Sequence, residues 1–142
     1  MDKSLFNEDD ITAVVRAFYA RVREDDMLAP IFATRIKGQA WRAHEDHIIS
    51  FWSSIFLQNQ RFSGNPMRKH MALSGLTPEH FARWLTLFQD TAQKRLTPEK
   101  ADMMDKMARR IAQSFQMGLA VNFEKSGQAD HPFKAFALRP PD

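Results

Sequence analysis

Apolar residues recur with a period near 3.6 in four long stretches of this chain, and no stretch shows the alternation that marks a strand. The first stretch covers residues 7 to 24. Asn7 is placed to cap it, Asp10 stands at the third helical position, and Phe6 is placed to staple onto Ile11. Its apolar positions 11, 14, 15, 18, 19 and 22 share a face, which puts Phe18 and Tyr19 at or near the buried side. Pro30 interrupts the pattern, and residues 31 to 38 read as a tight irregular corner carrying Phe32 and ending at Gly38.

The second stretch runs from about Trp41 to Leu57, with Trp41, His44, Ile48, Phe51, Trp52 and Ile55 at three- and four-residue spacing, so His44 faces inward. The polar segment QNQRFSGN then reads as a loop. Asn65 and Pro66 supply a cap and first-turn proline for a short helix from Met67 to Leu73, which contains His70. The same start signal returns as Thr77-Pro78, before Phe81, Trp84, Leu85 and Phe88, and as Thr97-Pro98, before Met104, Ile111, Phe115 and Leu119. Two long antiparallel helices should close the fold. After Gly127 the periodicity stops and three prolines appear, so 127–142 is expected to be a mobile or loosely docked tail behind a domain spanning 1–126.

Composition narrows what such an all-helical body can do. With 142 residues, 44% hydrophobic and 26% charged, the chain has enough material for one buried core. The absence of cysteine removes zinc ribbons, thiolate-ligated haem, iron–sulfur clusters and disulfide scaffolds. Arg and Lys alternate with acids, and the formal charge is only +3, so no nucleic-acid partner is expected. No stretch reaches the roughly 18 apolar residues of a membrane span, and the acidic start lacks the apolar core of a signal peptide. A monomer located in the cytoplasm, without membrane association, is the expectation.

No Gly-rich phosphate loop or nucleophile elbow is present. His44 and His47 stand three apart, whereas the zincin motif needs four, and the paired Glu-x-x-His units of a di-iron bundle are missing. The more informative pair is His44 and His70. From His44 the helix has about 20 Å to run at ~1.5 Å per residue, and the following loop allows the chain to return beneath it. A flat cofactor fits between the two segments, caged by Phe18, Phe32, Ile48, Phe51 and Trp84. Spacing alone leaves other readings open: the histidines as hydrogen-bonded core residues, the aromatics as ordinary core, Arg68 and Lys69 as a solvated face.

The segments FYARVREDDMLAPIF (18–32), WRAHEDHIISFW (41–52), FSGNPMRKHMAL (62–73) and HFARWLTLF (80–88) resemble the group III truncated haemoglobins in order, content and spacing. The resemblance spans about residues 5 to 123. It implies a truncated, two-over-two globin sandwich around haem b, with His70 as the proximal iron ligand and Tyr19 touching the gas ligand. It also implies that Phe32 packs on the haem and that His44 and Trp84 stand on the ligand side. Glycines here are isolated, as in group III and unlike the Gly-Gly pairs of groups I and II.

The expected activity is reversible binding of dioxygen and other diatomics such as carbon monoxide and nitric oxide. Phe18, Tyr19, His44, Ile48 and Trp84 are expected around the ligand, with Tyr19 and Trp84 as hydrogen-bond donors. Arg68, Lys69 and His47 are candidates to pair with haem propionates. The enzyme alternative, nitric oxide dioxygenation or a peroxidase-like reaction, uses the same residues and needs a separate reductase, since no flavin or nicotinamide domain is fused. A cofactor-free helical interaction module fits the periodicity alone.

Overall fold

The structure, a computed structural model, describes residues 6–33, 36–57, 75–128 and 130–136. Five α-helices appear there: α1 (Glu8–Val22), α2 (Ala29–Ala33), α3 (Ala40–Phe56), α4 (Pro78–Arg95) and α5 (Pro98–Lys125), followed by a 3-10 turn at Lys134–Phe136. α4 and α5 form the larger packed pair, α1 lies against both α3 and α4, and no strand occurs among the described residues.

The starts of the helices follow from local chemistry. Asn7 Oδ1 accepts the Asp10 N–H at 2.9 Å, and Asp10 Oδ2 accepts the Asn7 N–H at 3.2 Å, a reciprocal capping box. Lys100 Nζ reaches the same Asp10 carboxylate at 2.7 Å and ties the start of α1 to the start of α5. Partial burial pushes the Asp10 carboxyl up, but Lys100 and the Asn7 N–H outweigh it, and the group sits below the ordinary carboxylate range. Thr97 Oγ1 caps α5 by accepting from Lys100 N–H at 3.3 Å.

The corner after α1 is more regular than its sequence suggests. Ala29–Ala33 forms a helical turn with Pro30 in its first turn, where a missing N–H costs nothing. Asp25 organises it. Its Oδ2 accepts the N–H groups of Met27 and Leu28 at 3.1 and 3.0 Å, and its Oδ1 accepts from Arg83 of α4 at 2.6 and 2.8 Å. Arg83 is the largest influence holding the Asp25 carboxyl below its usual range, against the opposing effect of burial.

α3 carries two stripes. Trp41, Glu45, Ile49, Trp52 and Ser53 are buried, while His44, Ile48, Phe51 and Ile55 form a half-buried band beside them. A carboxylate on the buried stripe needs a partner. Glu45 Oε1 receives Arg16 Nη1 of α1 at 2.9 Å, and Arg16 also holds Asp46 at 2.7 Å.

The core is unusually aromatic. Phe6 stacks on Phe56 (centroids 4.5 Å apart), Phe56 on Trp52 (5.7 Å), Trp52 on Phe88 (5.3 Å) and Phe88 on Trp84 (5.5 Å), so one column of rings runs from the start of the fold to α4. Phe6 and Ile11 share the core as expected, but the ring that meets Phe6 is Phe56.

The described part of the segment after α5 packs on the helices. Gly127, at φ +84°, ends α5 in a Schellman motif: its N–H donates to Glu124 O and the Gln128 N–H to Phe123 O. The chain turns back on α4 and α5, and Phe133 is fully buried against Phe81 and Phe123. His131 pins it. Its Nδ1 accepts the Phe133 N–H at 3.1 Å, its Nε2 lies 3.1 Å from Glu124 Oε2, and its ring stacks on Phe123. Helical periodicity is not needed for this docking, because one aromatic side chain fills the groove.

Candidate functional site

An apolar cleft lies between α1–α3 and the α4–α5 pair. Its walls are aliphatic and aromatic. Tyr19 comes from α1, Phe32 from α2, Ile48 and Phe51 from α3, Trp84 from α4 and Phe115 from α5, so every long helix contributes. The described side chains of its lining that carry a polar atom are Tyr19, Trp52, His80 and Trp84. An apolar cavity with a few placed polar groups is the usual make-up of a small-molecule or cofactor site.

Tyr19 and Trp84 meet across it. The Trp84 indole can only donate, so its N–H gives a hydrogen bond to the Tyr19 hydroxyl oxygen, which leaves the Tyr19 O–H to point elsewhere. Burial pushes the Tyr19 hydroxyl well above the ordinary tyrosine range; the Trp84 bond opposes this, and the negative charge of Glu45 adds to it. Tyr19 is therefore a neutral donor at any physiological pH. Its ring is edge-on to His44 at 5.0 Å and tilted to Trp41 at 6.0 Å, and Arg23 lies over Trp41 at 5.3 Å.

Of the residues expected from sequence, Tyr19, Phe32, Ile48, Phe51 and Trp84 line the cleft together. Phe18 does not. It is 1% exposed and sits one layer behind, edge-on to Tyr19, Trp84 and Phe88, because neighbours on a helix point about 100° apart and Tyr19 takes the cleft-facing direction. His44 is half-buried against Tyr19, Trp41 and Phe32, next to the lining and not in it. His47 is half-buried one turn further along α3, also outside the lining. Arg68, Lys69 and His70 lie outside the described residues.

Sequence reasoning did not single out Leu28, Ile31, Trp52, Leu76, His80, Phe81, Ile111, Ala112 and Phe115 as cleft residues. For the aliphatic ones no local signal exists, since helix packing alone decides which apolar face meets the cleft. His80 left a trace as the third residue of the helix opened by Thr77-Pro78, and it reaches back to the Thr77 N–H.

The model of the family described as bacterial-like globin matches residues 5–116. The chain belongs to that family. Among its relatives is the group 3 truncated haemoglobin of Campylobacter jejuni, to which this globin is 31% identical over 112 residues, 78% of this chain and 88% of that one. A crystal structure of the group III truncated haemoglobin from Campylobacter jejuni superposes with a TM-score of 0.76 at 31% identity, covering 80% of this globin and 91% of that chain. The group 1 truncated haemoglobin of Nostoc sp. is 34% identical over 71 residues, 50% of this chain and 57% of that one. The expected likeness to group III and the all-helical truncated globin fold both hold. The docked segment 130–136 lies beyond the family match. Among the described residues, no helix of this globin is long and apolar enough to cross a membrane.

Proposed function

We propose that this globin carries haem b on His70 and binds dioxygen and other diatomic gases reversibly. The pairing of Tyr19 with Trp84 at the wall of an apolar cleft is the observation that carries the reading. The residues suit a porphyrin: Phe32, Ile48 and Phe51 offer flat and branched apolar surface, and the polar atoms of the lining are few. Haem, when bound, supplies an iron with one position open to a gas ligand.

The chain's own contribution is polarity and exclusion of water. With the Trp84 N–H on its oxygen, the Tyr19 hydroxyl keeps its own proton to donate to an acceptor inside the cleft, where low dielectric strengthens the bond. The Arg16–Glu45 pair fixes α3 against α1 just beneath, which holds the relation between Tyr19 and His44. His44 backs Tyr19 as a second polar group on the ligand side. Arg68, Lys69 and His47 are assigned to the haem propionates.

Visible spectra of the purified ferrous protein under nitrogen, air and carbon monoxide test this. Three distinct spectra that interconvert on exchanging the gas are expected; a protein without a Soret band after haem supplementation would overturn the proposal.

A further inference from the structure

His80 is the one imidazole among the described lining residues of the cleft, and neither its position nor its local bonding is explained by ligand-side chemistry. Its Nδ1 lies 3.0 Å from the backbone nitrogen of Thr77, whose N–H donates to it, and 3.0 Å from Thr77 Oγ1. A backbone N–H can only donate, so the Nδ1 lone pair is consumed and the neutral ring carries its proton on Nε2. A metal ligand must offer a lone pair. His80 in this tautomer has none to give, and it presents a donor at the cleft wall.

That donor has no protein acceptor among the described residues. Of the other polar side chains in the lining, Trp52 and Trp84 carry only donor N–H groups, and the Tyr19 hydroxyl oxygen already accepts from Trp84. Arg83, the cation one turn further along α4, is committed to Asp25 through both Nε and Nη2. A porphyrin seated in the cleft brings two carboxylates, charged acceptors of a kind that no described residue of this lining supplies.

Resting on the haem reading above, we propose that His80 donates its Nε2–H to a haem propionate, with Thr77 acting as a positioning residue that fixes the tautomer through its backbone. The interaction is a charge-assisted hydrogen bond made from the first turn of α4, separate from the axial bond assigned to His70.

Haem transfer to a high-affinity acceptor globin tests it, comparing native haem with its dimethyl ester, whose blocked carboxylates are uncharged. His80→Phe should release native haem about tenfold faster or more, the range of a lost hydrogen bond to a charged acceptor. His80→Gln, which keeps a donor, should restore most of the difference. With the dimethyl ester all three proteins should release at similar rates. Equal acceleration of both porphyrins by His80→Phe would make His80 a packing residue of the wall and overturn the proposal, as would no acceleration of either. Any acceleration from losing the Thr77 cap would act on both porphyrins equally, so the excess for native haem over the dimethyl ester is what reports the propionate bond. A parent protein that holds neither porphyrin would instead sink the haem reading itself.

Discussion

The indole N–H of Trp84 donates to the hydroxyl oxygen of Tyr19, joining α4 to α1 at the wall of the cleft. On the haem reading, Tyr19→Phe should accelerate oxygen dissociation by about one to two orders of magnitude, the range of a lost hydrogen bond to a charged acceptor. Carbon monoxide, which accumulates little charge, should change much less. Trp84→Phe should weaken oxygen retention only where Tyr19 is present, because the indole acts through its bond to the tyrosine hydroxyl; stopped-flow displacement on the two single variants and the double variant checks this.

The same buried hydroxyl gives a titration. Tyr19 is the only tyrosine, so tyrosinate absorbance reports this one group. The folded chain should resist ionisation well beyond about pH 10, where the unfolded chain titrates normally. Since the folded state keeps its proton more tightly, the Tyr19 contribution to stability is complete below about pH 10 and falls as the pH rises above it. Denaturant unfolding at rising pH should show that loss in the parent protein and less of it in Tyr19→Phe. A normal tyrosine titration in the native protein would refute the buried placement.

The legibility of this chain differs between its local and its tertiary features. The caps at Asn7 and Thr97 and the Thr77-Pro78 start could be read because each depends on side chains within three residues. Phe32, Ile48, Phe51 and Trp84 were expected around a flat cofactor from helical spacing, and Tyr19 from the family resemblance; all five line the cleft, although periodicity by itself separates buried from exposed and not cleft from core. Phe18 shows the gap: it lies on the same buried face and sits one layer behind the cleft lining. His80 was passed over because a histidine in a first turn looks like ordinary cap chemistry, and only the packed helices bring its ring to the cleft.

His70→Ala should release haem or bind it weakly while the chain still folds, whereas His44→Ala should keep haem and alter gas kinetics. Pyridine haemochrome quantification after gel filtration decides between the two. Retention of a normal ferrous spectrum by His70→Ala, with loss in His44→Ala, would reverse the two assignments.

Asp25 couples the α2 corner to α4 and is sensitive to acid. Its carboxyl is held below the ordinary range, so its stabilising effect is present above the unfolded value near pH 4 and is lost as the pH falls through the lower folded value. Asp25→Ala, which removes two backbone caps, should destabilise the fold by about 1–2 kcal/mol at neutral pH. The difference from the parent should shrink at acid pH; urea midpoints at several pH values measure it.

Phe133→Ala should destabilise the protein by about 3–5 kcal/mol, the usual consequence of emptying a fully buried aromatic position. Thermal unfolding of the apoprotein provides the check. A change under about 0.5 kcal/mol, typical of surface sites, would mean that the segment does not dock.

The column from Phe6 through Phe56, Trp52 and Phe88 to Trp84 has an evolutionary consequence. Each inner ring lies in offset, near-parallel contact with two others, so none can change size or tilt alone without leaving a void or displacing the next ring, and the last ring in the row bonds to Tyr19. Drift along this row should therefore proceed by paired exchanges, a smaller ring at one level matched by a larger one beside it. Descendants of this sequence would then be recognisable by the conserved total length of the stack more than by the identity of any ring within it.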